Sequence, residues 1–174
     1  MNKFVEIDNN AQDFYRENGF IVLSGSDWLV NKLEEVEKEI QALFDTLLKK
    51  GIDIYSHTMQ DVDSISQSTI YDRLKYLPSL AGLEGDAKIL NLLKMLGFSF
   101  PILMGCSNMR YDRPENQKHL FKWHQDSVYL LGSLNAVTIW IPFKDASSDF
   151  GTISVIPGSH INGIRRFEVI SDKA

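Results

Sequence analysis

The first half of the chain places apolar residues every three to four positions, which is the period of an amphipathic helix. The clearest case runs over 27–49, where Ser26 or Asp27 can cap the start and Gly51 follows the end. We interpret the apolar stripe as core packing, with a partner-helix role as the alternative. The stripe consists of Leu29, Leu33, Val36, Ile40, Leu43, Phe44 and Leu47.

The pattern also predicts three shorter helices. Gly19 and Gly97 come directly after two of them, and glycine is favoured there because it accepts the left-handed conformation that ends a helix. The prediction for the third helix ends before Pro78. The three helices are predicted over 10–18, 71–77 and 86–96.

After Pro101 the sequence pattern changes to short runs of β-branched and aromatic residues, which favour strands. Helices followed by short strands predict an α+β fold with the strands in a sandwich or barrel. We expect one domain over 1–174, mainly helical over 1–100 and β over 101–174. The strands are predicted over 20–23, 102–111, 121–124, 136–143, 151–156 and 164–170.

Composition excludes several classes of protein. The 174 residues carry 18 Lys and Arg against 23 Asp and Glu, a net charge of -5, which argues against nucleic acid as the main partner. No apolar run approaches the roughly 20 residues that a membrane span needs. The N-terminus lacks the apolar run of a signal peptide, and the single cysteine, Cys106, suits a reducing compartment. We therefore expect a cytoplasmic protein.

The segment Trp123-His124-Gln125-Asp126 carries the candidate chemistry. On an extended strand, His124 and Asp126 point to the same face because side chains alternate. One imidazole and one carboxylate on one face are two of the three ligands of a 2-His-1-carboxylate iron site. Taken alone, a His-x-Asp pair is more often an ordinary surface or hydrogen-bonded pair.

The surrounding motifs resemble the phytanoyl-CoA dioxygenase family. After Trp-His-Gln-Asp at 123–126 come Asn-Ala-Val-Thr-Ile-Trp-Ile-Pro at 135–142 and Gly-Thr-Ile-Ser-Val-Ile-Pro-Gly-Ser-His at 151–160. The segment Asn-Gly-Phe-Ile-Val-Leu at 18–23 is similar to the family's opening strand. The resemblance covers most of 10–163 in layout.

The resemblance implies a double-stranded β-helix (jelly-roll, cupin-like) core with helices packed on it. It implies Fe(II), 2-oxoglutarate and O2 as cofactors, and hydroxylation of a small organic substrate. His124 and Asp126 would be catalytic iron ligands, and Thr138 and Trp140 would line the cofactor pocket. Two polar residues on an earlier strand, Asn108 and Arg110, are further candidates for contacts with 2-oxoglutarate.

The chain departs from the family pattern at its end. The family has a distal histidine ligand and an arginine beyond it, whereas no histidine follows His160 here. Three alternatives stay open: a fragment with an incomplete jelly roll, a short form completed by a second copy or another chain, or His160 as third ligand. Open strand edges would favour a homo-oligomer. The alternative function is a truncated or degenerate relative that binds a ligand or a protein without catalysis.

Overall fold

The computed structural model describes residues 9–24, 27–47, 72–105, 107–109, 122–127, 133, 135–144 and 152–166. These residues belong to two compact units. The first unit takes Met1–Gln12 and Val22–Tyr111, and the second takes Asp13–Ile21 and Asp112–Ala174.

Helix α2, Asp27–Leu47, carries the core of the first unit. Its start agrees with the prediction, and the predicted last residues lie outside the described ranges. Val36, Ile40 and Phe44 are buried, and their spacing of four places them on one helical face. Burying one large apolar side chain contributes about 1.5–3 kcal/mol, so this face stabilises the unit. The rest of the buried apolar set is Leu74, Leu77, Leu83, Ile89, Leu93 and Leu96.

The structure corrects the prediction around Pro78, because a further helix begins at this residue. Residues 72–74 are helical and 75–76 form a turn, after which helix α3 spans Pro78–Glu84 and packs against α2. Proline suits the first helical position because its φ is already helical and its missing N–H would have no intrahelical acceptor. The prediction of a helix over 71–77 is therefore confirmed for residues 72–74 and wrong for residues 75–77.

A side chain from α2 caps the N-terminus of α3. Leu77 occupies the N-cap position and makes no side-chain cap. Instead, Glu39 Oε2 accepts the backbone N–H of Ser79 at 3.0 Å and the Ser79 hydroxyl at 2.6 Å. A carboxylate at this end also complements the positive pole of the helix. The contact joins residues 40 positions apart.

Helix α4, Ala87–Met95, confirms the predicted helix over 86–96. Asp86 caps its start by accepting the N–H two residues ahead at 2.9 Å. Gly97 has φ +103°, and the N–H of Phe98 donates to the carbonyl of Leu93 at 3.0 Å. This is the Schellman ending that the glycine predicted.

The second unit begins with the C-terminal part of helix α1, Asn9–Asn18. Gly19 has φ +79° and its N–H donates to the carbonyl of Tyr15 at 2.8 Å, so it ends the helix as predicted. The carbonyl of Asn18 accepts the N–H of Gly158 at 2.8 Å. The end of the helix is thereby tied to the Pro-Gly-Ser-His turn.

Two predicted strands of the second unit lie largely within the described residues. Residues 136–142 and 152–156 contain neither helix nor turn. No strand pairing is assigned in the described part of the chain, so the α+β jelly roll stays a prediction. A search of the same residues for a helix long and apolar enough to cross a membrane finds none.

Candidate metal centre

The imidazole of His124 is fixed by the backbone of its own segment. Its Nδ1 lies 2.6 Å from the carbonyl oxygen of Lys122. A carbonyl oxygen only accepts, so Nδ1 carries the proton and donates it. In the neutral ring the lone pair then sits on Nε2, the arrangement in which a histidine binds a metal through Nε2.

The carboxylate of Asp126 presents its two oxygens to different partners. Oδ1 lies 3.3 Å from Nε2 of His124, and Oδ2 accepts a hydrogen bond of 2.5 Å from Oγ1 of Thr138. Thr138 therefore sets the rotation of the carboxylate from a segment 12 residues later. The side chains of His124 and Asp126 are 33% and 46% exposed, so a ligand from solution can reach both.

This pair fits a divalent metal as two of its ligands. A nitrogen and an oxygen that bind one ion at right angles, each about 2.1 Å away, lie about 3 Å apart. The observed 3.3 Å between His124 Nε2 and Asp126 Oδ1 is close to that spacing. A neutral imidazole with a carboxylate is also a donor set that suits Fe(II). Within the described ranges, no third His, Cys, Asp or Glu joins the pair.

A match to a known protein family identifies the family of the chain that carries this pair of residues. Phytanoyl-CoA dioxygenase (PhyH) matches over residues 15–173, which is most of the chain and includes both candidate ligands. The chain belongs to the phytanoyl-CoA dioxygenase family. The resemblance inferred from the motifs is therefore confirmed. No curated protein and no solved structure matches the chain.

The remaining residues predicted to contact 2-oxoglutarate in this phytanoyl-CoA dioxygenase relative are distributed over both units. Trp140 lies two residues beyond Thr138 and is 42% exposed. Asn108 is exposed and belongs to the first unit, and Arg110 lies outside the described residues. Thr138 has its hydroxyl bonded to Asp126, which gives it a role in orienting the carboxylate. The cofactor contacts of all four residues stay predictions.

His160 of the Pro-Gly-Ser-His motif contacts helix α1. Its Nε2 donates to the carbonyl of Arg16 at 3.0 Å. Its ring also covers Gly19 so closely that an added Cβ there would overlap Nδ1. Both contacts support a structural role for His160 over the alternative that it is the third ligand.

Gln125 lies between the two candidate ligands and was not among the predicted site residues. Its Nε2 donates to the carbonyl of Gly163 at 3.1 Å, and its Oε1 accepts the N–H of Arg165 at 2.8 Å. On the predicted strand, alternation would place the middle residue opposite the ligands, where a polar amide needs partners. That signal was available, but the partners lie 38 and 40 residues away and cannot be read from spacing.

Proposed function

We propose that this chain is an Fe(II)- and 2-oxoglutarate-dependent dioxygenase that hydroxylates a small organic substrate. The observation that carries the proposal is the approach of His124 Nε2 and Asp126 Oδ1 to 3.3 Å in a member of the phytanoyl-CoA dioxygenase family. The net charge of -5 supports a small molecule over nucleic acid as substrate.

The roles of the residues follow from their contacts. His124 and Asp126 would hold the iron, and Thr138 keeps one carboxylate oxygen turned toward the imidazole. Bound iron supplies the oxidation in which 2-oxoglutarate, O2 and a substrate C–H bond give succinate, carbon dioxide and the hydroxylated product. We assign contacts with 2-oxoglutarate to Thr138 and Trp140, with Asn108 and Arg110 as further candidates for such contacts.

The first test is an anaerobic titration with Fe(II), with and without 2-oxoglutarate, followed by tryptophan fluorescence and by the visible charge-transfer band. We expect saturable binding that His124→Ala and Asp126→Asn abolish, because the first removes the imidazole nitrogen and the second replaces the charged carboxylate by a neutral amide. Asp72→Asn is the matched control, since Asp72 is an exposed carboxylate of the first unit, 3.3 Å from Lys75 Nζ. Equal binding by the wild type and by His124→Ala would refute the proposal.

Thr138→Val tests whether the carboxylate must be oriented. The change keeps the shape of the side chain and removes the hydrogen bond to Asp126. Loss of such an outer contact costs about 10–100-fold in metal affinity. Thr46→Val is the control, because the Thr46 hydroxyl donates to the carbonyl of Ala42 within helix α2, away from the candidate ligands. An unchanged Fe(II) affinity in Thr138→Val would mean that Thr138 does not contribute to metal binding.

Failure of both metal binding and 2-oxoglutarate turnover would favour the alternative, a non-catalytic relative that binds a ligand or a protein. Succinate formation without added substrate would separate the two functions, since it needs only the cosubstrate, O2 and the metal. A cytoplasmic location is part of the proposal and is supported by the single Cys106.

We also propose oligomerisation, on the argument that open strand edges pair with other chains. Exposed apolar side chains in the second unit support it, among them Ile153, Val155 and Ile156. Light scattering at high concentration checks this expectation, and a clean monomer would contradict it.

A further inference from the structure

The side chain of Gln125 is held at both ends of its amide. Nε2 donates to the carbonyl of Gly163 at 3.1 Å and Oε1 accepts the N–H of Arg165 at 2.8 Å. We refer to Gln125, Gly163 and Arg165 as the amide bridge. It joins the segment of the two candidate ligands to the chain that follows the Pro-Gly-Ser-His turn.

The chemistry of the amide bridge requires a primary amide. A carbonyl oxygen only accepts and a backbone N–H only donates, so one partner needs a donor and the other an acceptor. The orientation of the Gln125 amide is thereby decided by its two partners. A glutamate would keep the bond from Arg165 and lose the one to Gly163, whereas an alanine would lose both.

Gly163 has a backbone conformation that almost only glycine adopts. Its φ is +68° and its ψ is -162°, a region that strains every residue with a side chain. An added Cβ would meet no heavy atom within 4 Å, so the cost would come from the backbone and not from a collision. A side chain at this position would turn the carbonyl that Gln125 binds.

We propose that Gln125 is a positioning residue that sets the backbone of the metal-binding segment. The bonds of His124 to Lys122 and of Asp126 to Thr138 orient the two side chains. The amide bridge fixes the backbone between those side chains, so that its loss displaces both donor atoms together. The inference rests on the proposed function for the identity of the ion.

The test measures binding of Co(II), a spectroscopic substitute for Fe(II), by visible absorption. We expect Gln125→Ala to bind Co(II) about tenfold more weakly and to change the visible band at saturation, because displaced donors weaken and distort a metal site. Gln125→Glu should lose less. Gln12→Ala is the matched control, since Gln12 Nε2 also donates to a backbone carbonyl, that of Met95 at 3.0 Å, in the first unit.

Gly163→Ala tests the other end of the bridge. It should weaken Co(II) binding and change the band in the same direction as Gln125→Ala. Gly105→Ala is its control, because Gly105 also has positive φ, +61°, with open space around it in the first unit. A Co(II) affinity and band identical to wild type in both Gln125→Ala and Gly163→Ala would overturn the inference.

A metal-free measurement separates this inference from the proposed function. If the wild type binds no Co(II), the proposed function fails, and nitrogen NMR of the histidine rings in the metal-free protein still decides the role of Gln125. A change of the His124 ring signals in Gln125→Ala, absent in Gln12→Ala, supports the positioning role. Unchanged His124 signals overturn it.

Discussion

Each of the two units is stabilised internally by a different kind of contact. All the buried apolar side chains that the structure describes, from Val36 to Leu96, belong to the first unit. The described residues of the second unit include none, and its distant segments are joined by hydrogen bonds from Gln125, Thr138 and His160. The candidate chemistry lies in the second unit.

The difference reflects what each kind of contact can specify. Burial of apolar surface is non-directional, so it stabilises a helix pair without fixing one atom against another. A hydrogen bond weakens steeply outside a narrow range of distance and angle, so it can hold donor atoms at a required spacing. A metal site needs the second property, since its donors must converge on one point.

The largest expected effect is in the first unit. Phe44 is 2% exposed in the core of α2, and Phe44→Ala should lower the free energy of unfolding by about 3–5 kcal/mol through lost burial and the cavity left behind. Denaturant unfolding followed by circular dichroism measures it. Phe100→Ala is the control, because Phe100 is 85% exposed in the same unit. Equal losses in both variants would mean that burial does not distinguish the two positions.

Replacing one glycine by alanine in each unit should change the stability of the protein in opposite directions. Gly19→Ala should destabilise by about 1–3 kcal/mol, because it forces a positive φ on alanine and displaces the ring of His160. Gly82→Ala, in open space within α3, should stabilise by about 0.5–1 kcal/mol through lower chain entropy. Thermal unfolding of both variants measures these changes. A Gly19→Ala variant as stable as the wild type would contradict the close contact between Gly19 and the ring of His160.

The smallest of the destabilising effects concerns the polar cap that Glu39 provides in the first unit. Glu39→Ala removes both bonds to Ser79 and should cost about 1–2 kcal/mol of unfolding free energy, as for other helix caps. Glu34→Ala, exposed on the same helix, should stay within about 0.5 kcal/mol. A loss for Glu39→Ala as large as that for Phe44→Ala would break the comparison, since a directional contact would then dominate the apolar unit.

Helix ends show how far local sequence can predict this fold. Gly19 and Gly97 were placed correctly because a left-handed ending depends on one residue and its near neighbours. Helix α3 was missed because proline after a short apolar run serves equally as the end of one helix or the start of another. The structure shows the second case, with the cap supplied by Glu39 from α2.

The sequence by itself determined the family and the existence of helices α1, α2 and α4, and it predicted the pair His124 and Asp126, because each depends on residue type and short spacing. Tertiary structure decided which atoms hold that pair. Thr138 reaches Asp126 across 12 residues, and Gln125 finds its partners 38 and 40 residues away. Such contacts depend on how distant segments are brought together, and a spacing along the chain does not encode the direction of a hydrogen bond.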